Sequence, residues 1–396
     1  TKVKLLWNQD IPQISMETDG IKGIMDFKDI EWITSYFEKI LNIVPMPQNV
    51  NCEISQISID MKASNIIMEM KTSNPNAIIE MESVKINQVN SDGLLNISLT
   101  NFSIHRENRY ILKPISLEIP FKMFEPINAK IEYVESELSP EDLNAMSYYS
   151  PLIFSFMFKP REIQILPERI DIHAKVKKGK GFCINENKVI STVVANDIDL
   201  TVNITPTALC ISADCGNIIG NYTDNSKFVN IEKDLHLYVK GTYYDTEALV
   251  NVPSCNIFVN ENIMNWAMKF VPPPSVIPKS SKASISIKQS NISLLYSNNV
   301  LLKLCLGKSD ILANKSDTLQ LELKMESFDI ATYLMKYNII NFGLLEFKLN
   351  NNIIFARMPK ILINVSIPLL LQIIKYFQNI IPLQLLEKSN SIQTKN

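Results

Sequence analysis

The chain has 396 residues, 46% hydrophobic and 20% charged, a balance that excludes general disorder and requires a folded body. A net charge of −2 and a pI near 6.0 supply no basic field for nucleic acid. The six cysteines (Cys52, Cys183, Cys210, Cys215, Cys255, Cys305) form no C-x-x-C pair, so neither a disulfide scaffold nor a zinc site is expected, and a reducing cytosolic setting is.

In chain order, the first element is a helix. Asp26 is placed to cap it, Ile30, Ile33, Phe37, Ile40, Leu41 and Val44 recur at helical spacing, and Pro45 ends it. Alternating strands follow: Ile57, Ile59 and Met61 against Ser58, Asp60 and Lys62, then Ile66, Met68 and Met70. After the turn signal at residues 90–93 come Leu95, Ile97 and Leu99, then Ile115, Leu117, Ile119 and Phe121. Ser139 as N-cap, Pro140 in the first turn and the acids Glu141 and Asp142 predict a helix to about Tyr149.

Ile170, Ile172, Ala174 and Val176 form the next strand and lead into the basic run 177–181, which reads as an exposed hairpin turn. Ile198, Leu200, Val202 and Ile204 alternate with polar residues; 214–227 reads as a loop before the strand Leu235, Leu237, Val239. A strand over 255–259 precedes a helical stripe of Ile263, Ala267 and Phe270 that ends at Pro272. Strand signals continue through Ile285 and Ile287, Ile292 and Leu294, then Leu302, Leu304 and Leu306. Leu319, Leu321 and Leu323 follow, then Leu345 and Phe347. Finally Ile361, Ile363 and Val365 alternate before a helical stripe of Leu370, Ile374, Phe377 and Ile381, entered through Ser366 and Pro368 and stopped by Pro382.

The strand, helix, proline unit recurs. The stops at Pro45, Pro272 and Pro382 are 272 − 45 = 227 and 382 − 272 = 110 positions apart, near two periods and one, which points to a repeat architecture. Residues 202–209 resemble 363–370 with one deletion, and 54–59 resemble 289–294. Ten glycines are few for a β protein that closes on itself, which favours a long, gently twisting sheet. The apolar segment 367–386 is interrupted by Gln372, Lys375, Gln378 and Pro382, so a membrane span is not expected.

No catalytic pattern stands out. His105, His173 and His236 occur singly, and no G-x-S-x-G, P-loop or G-x-G-x-x-G is present, so no enzyme, cofactor or metal is expected. What the sequence poses is a burial problem: many consecutive strands each carry one oily face, to be hidden against a second sheet, helices or a ligand.

The run Arg109–Phe121, with helices of the kind found at Lys28–Leu41 and Pro368–Phe377, resembles the central repeats of the vacuolar-sorting thirteen, or chorein, family. The resemblance implies a mainly β chain with short helices: an elongated, highly curved antiparallel sheet forming an open hydrophobic groove. Its modules would each have about five strands plus a segment crossing the groove. It further implies a segment of a bridge-like lipid transfer protein, peripheral at organelle contact sites. Its partners would be phospholipid acyl chains, flanking modules of the same long chain, and organelle membranes reached through other regions.

Residues 1–388 would form one continuous groove of about three modules, with breaks near 45–50, 150–160 and 272–280, and 389–396 a polar tail. The expected lining is Ile57, Ile59, Met61, Leu95, Ile97, Leu99, Ile115, Leu117, Ile119, Ile198, Leu200, Val202, Leu235 and Leu237, continued by Leu302, Leu304, Leu306, Leu319, Leu321, Leu323, Leu345, Phe347, Ile361, Ile363 and Val365. The alternative is a closed β-sandwich or β-solenoid scaffold that serves as an interaction module.

Overall fold

A computed structural model describes residues 2–7, 12–25, 58–71, 76–88, 94–122, 125–158, 160, 169–233, 235–270, 280–296, 299–315, 319–331, 338–342, 345–350, 353–357, 362–363 and parts of 367–375. The chain is one open, elongated and curved sheet that does not close into a barrel. Two sheets pressed face to face, as a closed β-sandwich requires, are not what it adopts.

The strands fall into meanders. After β1 (Lys2–Trp7), β2 (Pro12–Asp19) and β3 (Lys22–Met25), the first complete meander is β4 (Ser58–Met70), β5 (Ala77–Gln88), β6 (Leu95–Arg106), β7 (Arg109–Phe121) and β8 (Ile127–Leu138). Helix α1 (Pro140–Met157) leads to a second: β9 (Ile170–Asn185), β10 (Lys188–Ile204) and β11 (Ala208–Tyr222), then β12 (Lys227–Ile231) with β13 (Leu235–Thr242), and β14 (Asp245–Val252) with β15 (Cys255–Val259). Helix α2 (Glu261–Met268) leads to a third. Its transverse strands are each made of two successive segments, β16 (Ser280–Ile287) then β17 (Ser290–Tyr296), β18 (Asn299–Leu306) then β19 (Ser309–Lys315), and β20 (Leu319–Met325) then β21 (Phe328–Ala331). Then come β22 (Asn338–Phe342) with β23 (Leu345–Asn350), and β24 (Ile353–Arg357) with β25 (Leu362–Ile363). Residues 367–368, 370–371 and 374–375 are helical, as the stripe there predicts.

From β11 onward each transverse strand is broken into two segments, so the sheet has two arms. The first arm carries β13, β14, β16, β19, β20, β23 and β24; the second carries β12, β15, β17, β18, β21, β22 and β25. Neighbours within a meander are antiparallel. The expectation of a purely antiparallel sheet needs one amendment, because the meanders join through parallel pairs: β2 and β3 with β4, β8 with β9, and β14 and β15 with β16 and β17. A parallel joint dictates its own connection. β8 ends in the second arm, Leu138 beside Cys183, while β9 begins in the first, Ile170 beside Ile204, so the connection that α1 opens starts and finishes in different arms.

Where the two arms meet, the strands crease. Gly20, Asn65, Asn101 and Asp197 all take positive φ there, at 70°, 53°, 51° and 52°, a region that glycine, asparagine and aspartate enter most cheaply. In β10 the crease shifts the side-chain alternation. Ile198 faces the concave side, and so does Ala195, because a Cβ built on its partner Gly179 would lie 3.2 Å from Ile198 Cδ1. Asn196 and Asp197 both face the convex side, where they share a recess with Glu132, Tyr133, Lys177 and Lys178. Two successive convex residues in one strand act as a bulge and bend it.

Several local expectations change. The basic run 177–181 is no hairpin turn but the crease of β9, and residues 214–222 belong to β11 rather than to a loop. The polar and glycine-rich composition that signals a turn is here the composition of a bend within a long strand. Residues 202–209 contain no helix: Thr205 and Ala208 close a tight turn between β10 and β11. Helix α1 runs past Tyr149 to Met157. The first predicted helix and the 389–396 tail lie outside the described residues.

Candidate functional site: the concave face

Registers can be followed from strand to strand across the sheet, and they assemble the concave lining residue by residue. In the first arm one row runs Met16, Met61, Ile86, Ile97 and Ile119. From β8 onward a row runs Ala129, Ala174, Leu200, Ala213, Leu237, Val250, Ile285, Ile311, Leu323, Phe347 and Ala356. In the second arm another row runs Met68, Ile79, Ile104, Leu112, Ser136, Gly181, Val193, Gly220, Val229, Ile257, Ile292, Leu304 and Ile330. None of these rows contains a charged residue.

The opposite face of the same strands is the reverse. Lys62 meets Glu17 at 4.0 Å, Lys175 meets Asp199 at 3.8 Å, Lys282 meets Glu247 at 3.7 Å and Lys348 meets Glu322 at 2.5 Å, all on the convex side. His236 Nδ1 donates to the Asp214 carboxylate at 2.7 Å there, His173 lies 3.2 Å from Thr201 Oγ1, and His105 is 3.5 Å from Glu80, so each histidine has a structural partner. Cys210 and Cys215 lie in β11 an odd number of residues apart, hence on opposite faces; burial raises the Cys215 thiol pKa, with Asp197 adding to it. Among the described residues no group of three or more histidine, cysteine or acidic side chains could hold a metal.

The lining is only partly covered. From β13 to β23 the first-arm residues Leu235, Val250, Ile285, Ile311, Leu323 and Phe347 are half-buried, and Leu237 is 37% exposed. The two clusters of buried apolar residues both sit in the second arm. In one, Leu294, Leu301 and Leu302 pack with Val259 and Met264; in the other, Tyr222, Ile263 and Leu295 pack with Phe228, Phe258 and Trp266.

Helix α2 produces these clusters. Asn260 caps it, its side chain accepting from Ile263 N at 3.0 Å, and Tyr222 donates to Phe258 O at 2.5 Å just before the cap. Ile263 and Met264 then press onto the concave side, and Trp266 Nε1 donates to Ile184 O at 2.9 Å. Lys269 reaches Asn185 at 2.8 Å and Glu186 at 3.0 Å, so the end of α2 is tied to the β9–β10 hairpin. Helix α1 approaches from the other side, its Asn144 donating to Lys269 O at 3.2 Å and its body reaching β13.

The predicted lining residues are therefore distributed as follows. Met61, Ile97, Leu99, Leu117, Ile119, Ile198, Leu200, Val202, Leu235, Leu237, Leu321, Leu323, Leu345 and Phe347 occupy concave first-arm positions. Leu95 pairs with Phe121 in the same arm, and Leu319, 50% exposed, lies at the rim. Ile115, Leu304 and Leu306 are second-arm positions. Leu302 is only 7% exposed beneath α2, so it belongs to the closed core and not to an open lining. Ile59 pairs with Ile14 and Ile363 with Ile340 along the backbone, whereas Ile57, Ile361 and Val365 lie outside the described residues.

Sequence reasoning missed most of the second-arm row. Val193, Ile257 and Ile330 alternate out of step with the first-arm residues of their own transverse strands, and Ser136, Gly181 and Gly220 break the apolar pattern between them. The signal that could have found them is the phase change at Asn196-Asp197. No helix among the described residues is long and apolar enough to cross a membrane. No family model matches the chain, and no curated protein matches it.

Proposed function

We propose that this chain is a segment of a bridge-like lipid transfer protein, whose concave face conducts phospholipids between organelle membranes as a passive conduit. The observation that carries this reading is the first-arm row, uncharged from Met16 to Ile119 and from Ala129 to Ala356 and only half-buried along β13 to β23. Soluble proteins leave contiguous apolar patches of only about 300–600 Å² bare, so a face of this extent calls for apolar guests. Acyl chains supply about 0.8 kcal/mol for every methylene taken out of water. They also need no hydrogen bonds from a face whose backbone groups are committed to the ladder. The headgroup would stay at the open mouth in water, since the lining offers no charge to receive it.

The meander rhythm adds support. Five transverse strands, a returning connection and a parallel joint recur along the chain, the build that a resemblance to chorein-type repeats implies. Further modules of the same chain are the natural neighbours of β24, where Ile353, Ile354 and Phe355 are 72%, 65% and 54% exposed. Membrane attachment is assigned to other regions, and the working place is the periphery of organelles at their contact sites.

Lipid extraction and mass spectrometry of the purified chain test the proposal. Stoichiometric glycerophospholipid is expected, together with transfer of labelled lipid between donor and acceptor vesicles when the chain is held between them. A preparation that folds, carries no lipid and takes up none from vesicles overturns the reading.

A further inference from the structure

We propose that the seam between β7 and β8 is a preformed slit in the wall of the gutter, which opens locally while the strands on either side stay paired. The ladder between these two strands consists of one pair, Leu112 with Ser136. Their neighbours are fully knit, with nine pairs between β6 and β7 and eleven between β8 and β9. The two strands are consecutive and join through a short connection, so an ordinary hairpin ladder was available to them and is not made.

Proline explains part of this. Pro120 pairs with Asn96 in the β6–β7 ladder, and a proline fits a ladder only where its nitrogen points away from the paired strand, here toward β8. Pro114 removes a second N–H from the same strand. Side chains replace the missing ladder. Lys113 of β7 bonds Glu135 and lies 3.8 Å from Glu137, both on β8, and Arg109 donates to Glu137 O at 2.9 Å. All of these contacts cluster toward the second-arm end. Residues 115–121 and 127–134 run side by side without them and form no ladder pair with each other.

A ladder held by one pair and a charge clasp opens at far lower cost than one held by nine or more, and amide hydrogen exchange reads that directly. In the intact chain, peptides covering 115–121 and 127–133 are expected to exchange at least ten-fold faster than 198–204 in β10. Lys113→Ala should widen that ratio, and the double variant Pro114→Val with Pro120→Val should narrow it while leaving β10 unchanged. Equal protection of the two regions in the unmodified chain overturns the slit without recourse to any variant. If the ratio is present but the valine variant folds and leaves it unaltered, the assignment to proline is overturned.

Discussion

Arg109 and Asp142 meet at 2.6 Å, with Arg106 at 3.0 Å from the other carboxylate oxygen, and the carboxylate is 1% exposed. The contact ties the β6–β7 hairpin to the first turn of α1, the segment that must cross from one arm to the other. Asp142 is also the capping partner of Ser139, accepting from its backbone N–H and its hydroxyl at 2.9 Å. Removing the carboxylate would leave the buried Arg106 and the half-buried Arg109 without their counter-charge.

Asp142→Ala is therefore expected to destabilise the chain by about 3–5 kcal/mol, the cost of breaking a buried ion pair from one side. Asp142→Asn keeps the shape but not the charge and should lose a comparable amount. Chemical denaturation followed by circular dichroism measures both; a loss below about 1 kcal/mol in either would show that the triad does not anchor the helix.

Exposure separates two leucines that look alike in the sequence. Leu237 is 37% exposed on the concave face, whereas Leu302 is 7% exposed under Met264. Leu302→Ala should cost about 2–5 kcal/mol as a cavity in a closed cluster. Leu237→Asp should shift stability by about 0.5 kcal/mol or less, yet reduce bound lipid at least two-fold when combined with Leu323→Asp. Unfolding midpoints and extracted lipid from the same preparations decide the matter.

The clasp across the seam makes a pH prediction. Burial pushes the Glu135 carboxyl up, but hydrogen bonds from Lys113 and Tyr133, with the charges of Lys113 and Lys180, outweigh it and hold the pKa below its ordinary 4.5. A depressed carboxylate pKa stabilises the fold above the unfolded value, and that contribution disappears as pH falls through the folded one. Exchange at 115–121, corrected for its intrinsic pH dependence, should thus accelerate relative to β10 below pH 4.5 and stay level between pH 6 and 8. Glu135→Gln should abolish the difference.

The outline of the fold was legible because period-two alternation survives wherever one face is apolar. Leu319, Leu321 and Leu323 against Gln320, Glu322 and Lys324 state their own orientation, and β20 places them as stated. The creases were not legible for the same reason. At Asn196-Asp197 the alternation skips a step, and at 177–181 the lysines and glycines that let β9 bend carry the composition of a turn. The parallel joints were hidden too, since no local pattern distinguishes a strand that will pair in parallel. Nor could periodicity reveal that Leu302 is covered while Leu323 is open, because that difference depends on where α2 lands and not on the strand itself.

The crease can be tested at single residues. Asp197 sits at φ 52°, where a β-branched side chain is strained, so Asp197→Val should cost about 1–2 kcal/mol and Asp197→Gly little or nothing. Gly220 supplies the contrast, a position limited by space instead of dihedral. A Cβ there would lie 2.7 Å from Val229 Cγ1 and 3.3 Å from Thr192 O, so Gly220→Ala should cost about 1–3 kcal/mol by overpacking. Gly23, with nothing within 4 Å of its would-be Cβ, should accept alanine without loss or gain about 0.4–1 kcal/mol. Denaturation midpoints of the four variants rank these costs. If Asp197→Val proved as stable as the parent, the bend at β10 would have to arise from packing across the arms and not from the backbone of the crease.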